Sequence, residues 1–225
     1  AMLRSTQWLA VHLLIPALVF WAVFDVRVLD PTNYEWLLAG DMGQHFIGWH
    51  FFRYDAWRLP LAETQLAGFP HGFSIVFSDS NPLVSILLKP FSDLIPERFQ
   101  FIGIWYFVCL ILKFHAITLI LRRYIGDPIL VVGLATLFSI YPPFFLRFGH
   151  ENLMAHFLWL YALYVFLADF RFRRGTVAFG ALAVASAGIH FYFTPVILAL
   201  SLLKGAIAIA SGRGWLRTAG EVVVL

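Results

Sequence analysis

Charge is what this sequence most lacks. Asp, Glu, Lys and Arg make up 13% of its 225 residues, against 60% hydrophobic ones, where an ordinary soluble domain carries about 25% charge. The mean hydropathy of +0.79 agrees, and together they exclude a water-soluble globular fold. Cysteine is nearly absent: Cys109 stands alone inside an apolar run, which excludes a disulfide framework and a Cys-based metal site. Neither a Gly-rich phosphate loop nor a Ser nucleophile elbow occurs, so soluble nucleotide chemistry is not signalled. No internal repeat or low-complexity segment is visible. The net charge of +3 is placed by topology and does not point to nucleic acid.

What is present suits a bilayer. Twenty-four Phe, eight Trp and eight Tyr fit lipid contact and interfacial aromatic belts. Six apolar runs are long enough to be read as crossings of ~30 Å of hydrocarbon: Trp8–Val28, Phe101–Leu121, Ile129–Leu146, Leu153–Phe170, Thr176–Phe193 and Val196–Ala210. Glu221–Leu225 reads as the first turn of a further span, so the chain is expected to be part of a longer protein. Arg4, Arg122-Arg123, the Arg171–Arg174 cluster, Lys204, Arg213 and Arg217 fall on one side if Asn81–Pro96 does not cross. The positive-inside rule makes that side cytoplasmic. Pro82–Phe91 is short, bounded by prolines and interrupted by Lys89, as a re-entrant or interfacial helix would be.

The expected fold is therefore an all-α membrane protein with about six transmembrane helices. Interfacial or re-entrant helices add to these in the first extracytoplasmic loop. It reads as one module over residues 1–225: a first span at 8–28, the loop at 29–98, five spans within 99–210, and a cytoplasmic segment from 211. The first span has no small-residue cleavage site after it and reads as an anchor.

The polar residues gather in three places. Asp41–Trp57 has helical spacing, with Met42, Phe46, Trp49 and Phe52 on one stripe and Asp41, Gln44, His45 and Gly48 on another face. Its apolar stripe is expected to lie in lipid. Asp41 follows Gly40 at the helix start, and on the plainer reading it is an N-cap. Ser78-Asp79-Ser80-Asn81-Pro82 has the composition of a turn and helix start. Arg147-Phe148-Gly149-His150-Glu151-Asn152 follows Pro142-Pro143 at a span end. Ionisable residues there are functional candidates, against the plainer reading of a solvated loop. His190 ends the fifth span on the same side, where a satisfied core histidine is the alternative. No His-x-x-x-His spacing occurs at these positions, so no metal site is indicated.

These segments have a familiar look. Gly40-Asp41-Met42-Gly43-Gln44-His45-Phe46, then Phe77-Ser78-Asp79-Ser80-Asn81-Pro82-Leu83, then Gly149-His150-Glu151-Asn152 together resemble the N-terminal portion of GT-C superfamily glycosyltransferases, in particular a bacterial branch. The likeness runs from Arg4 to Pro195. It implies sugar transfer, with inversion, from a polyprenyl-phosphate-linked donor to an extracytoplasmic glycan, lipid or protein. Asp41 takes the place of the catalytic base, and Pro82-Leu83 matches a proline motif that introduces an interfacial helix. Gln44, His45, Asp79, Arg147, His150, Glu151 and His190 become the substrate-binding candidates, with Arg147, His150 and His190 available to the departing phosphate. Met42 follows Asp41 with no second acid close by, unlike the acidic metal pair of oligosaccharyltransferases, so no cofactor is expected. The implied location is the bacterial cytoplasmic membrane, with the N-terminus inside and the site facing the periplasm. A transporter or flippase-like protein of envelope polysaccharide assembly is the alternative, and a non-catalytic scaffold the third. A transporter predicts polar residues at mid-bilayer and related halves, and the sequence shows few of the first and none of the second.

Overall fold

The computed structural model describes residues 5–168 and 172–211. Arg4, Arg171, Arg213, Arg217 and the expected further span at Glu221–Leu225 lie outside them. Among the described residues the chain is almost wholly helical. Three helical stretches are long and apolar enough to cross a membrane: Thr6–Val23, Ile102–Leu121 and Phe191–Ala210. These mark it as a membrane protein. Helix α1 (Ser5–Val23) leaves Leu9, Leu14, Leu18 and Trp21 at 60–69% exposure, an apolar stripe that water would penalise and lipid would accept.

Helix α4 (Ile102–Leu121) is the central strut and packs against α1, α5 (Pro128–Ser139) and α7 (Phe157–Leu167). Helix α8 (Phe172–Ile189) and helix α9 (Thr194–Ala210) close against α7 and each other. The run Ile129–Leu146 is broken in two: α5 stops at Ser139, and the four-residue α6 (Pro142–Phe145) follows. Pro142 and Pro143 supply no backbone N–H, so the helix cannot run through them. A twelve-residue helix rises about 18 Å, well short of ~30 Å of hydrocarbon. The run Leu153–Phe170 begins in a 3₁₀ turn, Glu151–Met154, and its α-helix α7 is eleven residues long. Lys204 sits inside α9, not in a loop. Its ammonium donates to the carbonyls of Val165, Phe166 and Ala168 at 2.5–3.2 Å, satisfying the last turn of α7 as a cation there should.

The segment after α1 folds against the helices. Gln100 pins both its ends, donating to the Val28 and Asp30 carbonyls at 2.8 Å and accepting from Gly103 N at 3.0 Å. Within it lie α2 (Gly40–Tyr54), a two-residue ladder of β1 (Glu63–Thr64) with β2 (Phe73–Ser74), and α3 (Pro82–Leu88). The apolar stripe of α2 does not lie in lipid. Phe46, Trp49 and Phe52 are buried in the main core of the protein with Phe101, Trp105 and Ile75. Arg53, also buried, fixes the C-terminal end of α2 by donating to the carbonyls of Ser92, Ile95, Pro96 and Glu97. Lys89, the charge that interrupts the Pro82–Phe91 run, is 5% exposed and stacks its ammonium over Phe52 at 3.9 Å. Its charge is thus solvated by a ring face and the Ala56 carbonyl.

Asp55, just past α2, is a polar hub. It accepts from Arg58, Thr64 Oγ1, Gln65 N and Ala56 N. Burial pushes its carboxyl up, but the Arg58 bond and the backbone and hydroxyl donors outweigh that and hold it well below the ordinary carboxylate range. Because the folded value is depressed, the stability it lends is present above the unfolded value and is lost as pH falls through the folded one. Asp55→Asn is expected to lower stability by about 1–3 kcal/mol at pH 7. It should also flatten the decline in melting temperature below about pH 4. Thermal melts of both proteins across pH 3–8 check this, and parallel pH profiles would refute it.

Candidate functional site

Four segments far apart in sequence place their polar residues together. Helix α2 presents Asp41 and His45 one turn apart. The turn before α3 presents Asp79, whose backbone is left-handed (φ 56°), as is that of Asn81 (φ 45°). Asp and Asn tolerate this region better than other side-chain-bearing residues, and Asn81 also caps α3 by accepting from Val84 N. The loop after α6 turns at Gly149 (φ 100°) and delivers His150 and Glu151. Helix α8 ends at Ile189, and His190 follows, its Nδ1 accepting from Tyr192 N.

At the bottom of the cluster His45 Nδ1 is hydrogen-bonded to Glu151 Oε2, with both side chains almost wholly buried. Trp105 Nε1 donates to the Glu151 carbonyl at 2.9 Å, fixing the turn on α4. Burial pushes the Glu151 carboxyl up to about 7, against the pull of His45. Burial also lowers His45, but the bond to Glu151 and the nearby charges of Asp79 and Asp41 outweigh it and raise the imidazole overall. The two groups are therefore coupled, each shifted upward in the presence of the other's charge and the surrounding burial.

Above them, His150 Nε2 stands 3.6 Å from Asp41 Oδ2, and His190 Nε2 stands 3.6 Å from Asp79 Oδ1. Asn152 Nδ2 donates to the Asp79 carbonyl at 2.8 Å and to Oδ1 at 3.0 Å. One donor atom each of His45, Asp79 and His150 lie within 4.8 Å of one another. The Asp41 side chain is 67% exposed and that of His150 45%, so the cluster opens outward from a buried floor.

Of the residues singled out from sequence, Asp41, His45, Asp79, His150, Glu151 and His190 are brought together. Gln44 is exposed and donates to the Phe77 carbonyl at 3.3 Å, tying α2 to the Asp79 turn instead of entering the cluster. Arg147 turns its side chain outward, exposed and without a side-chain hydrogen bond or ion pair to the cluster; only its carbonyl takes part, accepting from His150 N at 2.9 Å. Asp41 is not an N-cap. Ala39 holds the cap position without a side-chain bond, and Asp41 is the second residue of the helix. Asn152 and Trp105 were missed. The first stood inside a motif already singled out, but a tryptophan in an apolar span gives no sequence signal of its role.

Comparison with family profiles matches residues 13–225 to a domain of unknown function, DUF6311, and the chain belongs to that family. No curated protein and no solved structure matches it.

Proposed function

We propose that this member of the DUF6311 family is a membrane-embedded glycosyltransferase of GT-C type, transferring a sugar from a polyprenyl-phosphate-linked donor to an extracytoplasmic acceptor. The observation that carries the reading is the convergence of an exposed carboxylate, Asp41, with His150, Asp79 and His190 over a buried floor. In this reading Asp41 is the general base. It takes the proton of the acceptor hydroxyl as that oxygen bonds to the anomeric carbon, while the bond to the donor phosphate breaks. One displacement inverts the anomeric centre and leaves the polyprenyl phosphate. His150 keeps Asp41 oriented, and His150 and His190 donate to the departing phosphate.

The lipid part of the donor needs an apolar surface. A cavity of about 470 Å³ is lined by Ile117, Ile120, Phe138, Trp159 and Leu160, with Lys113 and His156 among them. It suits a polyisoprenoid chain, although no cluster residue lines it. The arrangement of about six crossings belongs to the same proposal, with the cytoplasmic N-terminus and the cluster on the periplasmic side. So does the bacterial inner membrane as location.

The experiment offers labelled polyprenyl-phosphate sugars to the purified full chain in vesicles. Mass spectrometry then follows both cleavage of the donor and lipid-linked sugar that co-purifies. Donor cleavage with a glycosylated product is expected. Movement of intact lipid-linked sugar across the bilayer without cleavage would overturn the reading in favour of a flippase.

A further inference from the structure

We propose that His45, Asp79 and His150 form a binding site for one divalent first-row transition-metal ion, with Glu151 orienting His45 from behind. This inference stands on the cluster's geometry and does not rest on the glycosyl-transfer reading. The three donors lie within 4.8 Å of one another and come from three separate segments. Bond lengths of about 2.0–2.2 Å put the donors of a filled tetrahedral site roughly 3.3–3.6 Å apart. Closing on an ion therefore takes a shift of under about 1 Å by each side chain.

Each ligand is prepared on its far side. His45 Nδ1 is held by Glu151, so Nε2 is the nitrogen an ion would take, in the carboxylate–histidine–metal pattern. Asp79 Oδ1 is engaged by Asn152 and faced by His190, leaving Oδ2 for an ion. Glu151 is fully buried, and its Oε1 has no hydrogen-bond partner. Asn152, equally buried, has an unpartnered Oδ1. Charge points the same way. Asp41, Asp79 and Glu151 converge, and among the described residues no Lys or Arg pairs with any of them. Two imidazoles with one carboxylate suit zinc, manganese, iron or cobalt, whereas calcium and magnesium favour all-oxygen sets.

The test uses the full chain in detergent, stripped with chelator and titrated with Co²⁺ as a spectroscopic probe. Zinc bound after dialysis is counted by mass spectrometry. One ion per chain is expected, with visible d–d absorption. Asp79→Asn is the informative variant, because Asn accepts the left-handed backbone and keeps an acceptor for Asn152. It and His150→Ala should each weaken binding at least ~10-fold, and Glu151→Gln by about 10–100-fold. No binding by the wild type, or equal binding by the Asp79→Asn, His150→Ala double variant, would overturn the site. So would a metal-free cluster that takes inorganic phosphate instead. Metal binding without sugar transfer would remove only the glycosyltransferase reading; sugar transfer without metal binding would remove only this one.

Discussion

Asp41→Asn is expected to leave the protein folded and to lower sugar transfer by about 10²–10⁴-fold, the usual cost of losing a general base. The amide keeps the size and hydrogen-bonding reach of the carboxylate but cannot accept a proton at neutral pH. Structural explanations for such a loss are weak at this position. Asp41 makes no capping bond, because the cap position belongs to Ala39, and its side chain is two-thirds exposed. What it gives the fold is a negative charge in the first turn of α2, a favourable interaction with the helix dipole of about 0.3–1 kcal/mol. A well-expressed membrane protein would not lose a hundredfold of rate through that. Measuring melting temperature and transfer side by side separates the two effects. Normal stability with abolished transfer supports the base, and Asp41→Ala should behave the same way. Full activity in Asp41→Asn would take Asp41 out of the mechanism. Asp79 would then be the carboxylate to test, since Glu151 is fully buried and bonded to His45.

How much of this was legible beforehand depends on the distance over which each feature is determined. The apolar runs at α1, α4 and α9 were legible because hydropathy is a local property, but the first run, Trp8–Val28, outlasts its helix: α1 ends at Val23, and Asp25 caps a separate 3₁₀ turn at Val26–Leu29. Where helices stop was less so. Pro142-Pro143 gave the break after α5, but the 3₁₀ turn that shortens α7 has no such mark. Six of the eight polar candidates converge because they share segments whose helical period and turn chemistry could be read directly. The pairing of His45 with Glu151, 106 residues apart, could not be read, because nothing local to either residue encodes it. The reading of α2 as lipid-facing failed for a related reason. Periodicity identifies an apolar stripe but not what covers it, and here the cover is the Trp105 and Phe101 face of α4 and the residue before it. Arg147 was grouped with its sequence neighbours, yet a loop turning at Gly149 sends His150 and Glu151 inward and leaves the arginine exposed.

Gly48→Ala is expected to disable the cluster without touching any of its ionisable groups. Gly48 lies on the same face of α2 as Asp41 and His45, and it marks where that helix passes the Asp79 turn. A Cβ added there would overlap the hydroxyls of Ser78 and Ser80 and sit 3.0 Å from Ser78 Cβ. Both serines are buried, and they are hydrogen-bonded to each other at 2.8 Å, with Ser78 also donating to the Ile75 carbonyl. Neither hydroxyl can swing aside without giving up a buried bond. Intrinsic helix propensity works the other way, since Ala is preferred to Gly within a helix by about 0.8–1 kcal/mol. Overpacking costs of about 1–3 kcal/mol, plus at least one buried hydrogen bond at ~1 kcal/mol, outweigh that gain. The melting temperature should therefore fall by several degrees. The larger effect is on function, because Ser78 and Ser80 flank Asp79 and any retreat of that turn carries the carboxylate away from His45 and His150. Transition-metal binding and sugar transfer should both drop at least ~10-fold. Adding Ser78→Ala and Ser80→Ala to Gly48→Ala removes the two hydroxyls the methyl collides with, and the triple variant should recover part of both properties. A Gly48→Ala protein with unchanged melting temperature and full metal affinity would show that α2 and the Asp79 turn are not in the close register that assembles the site.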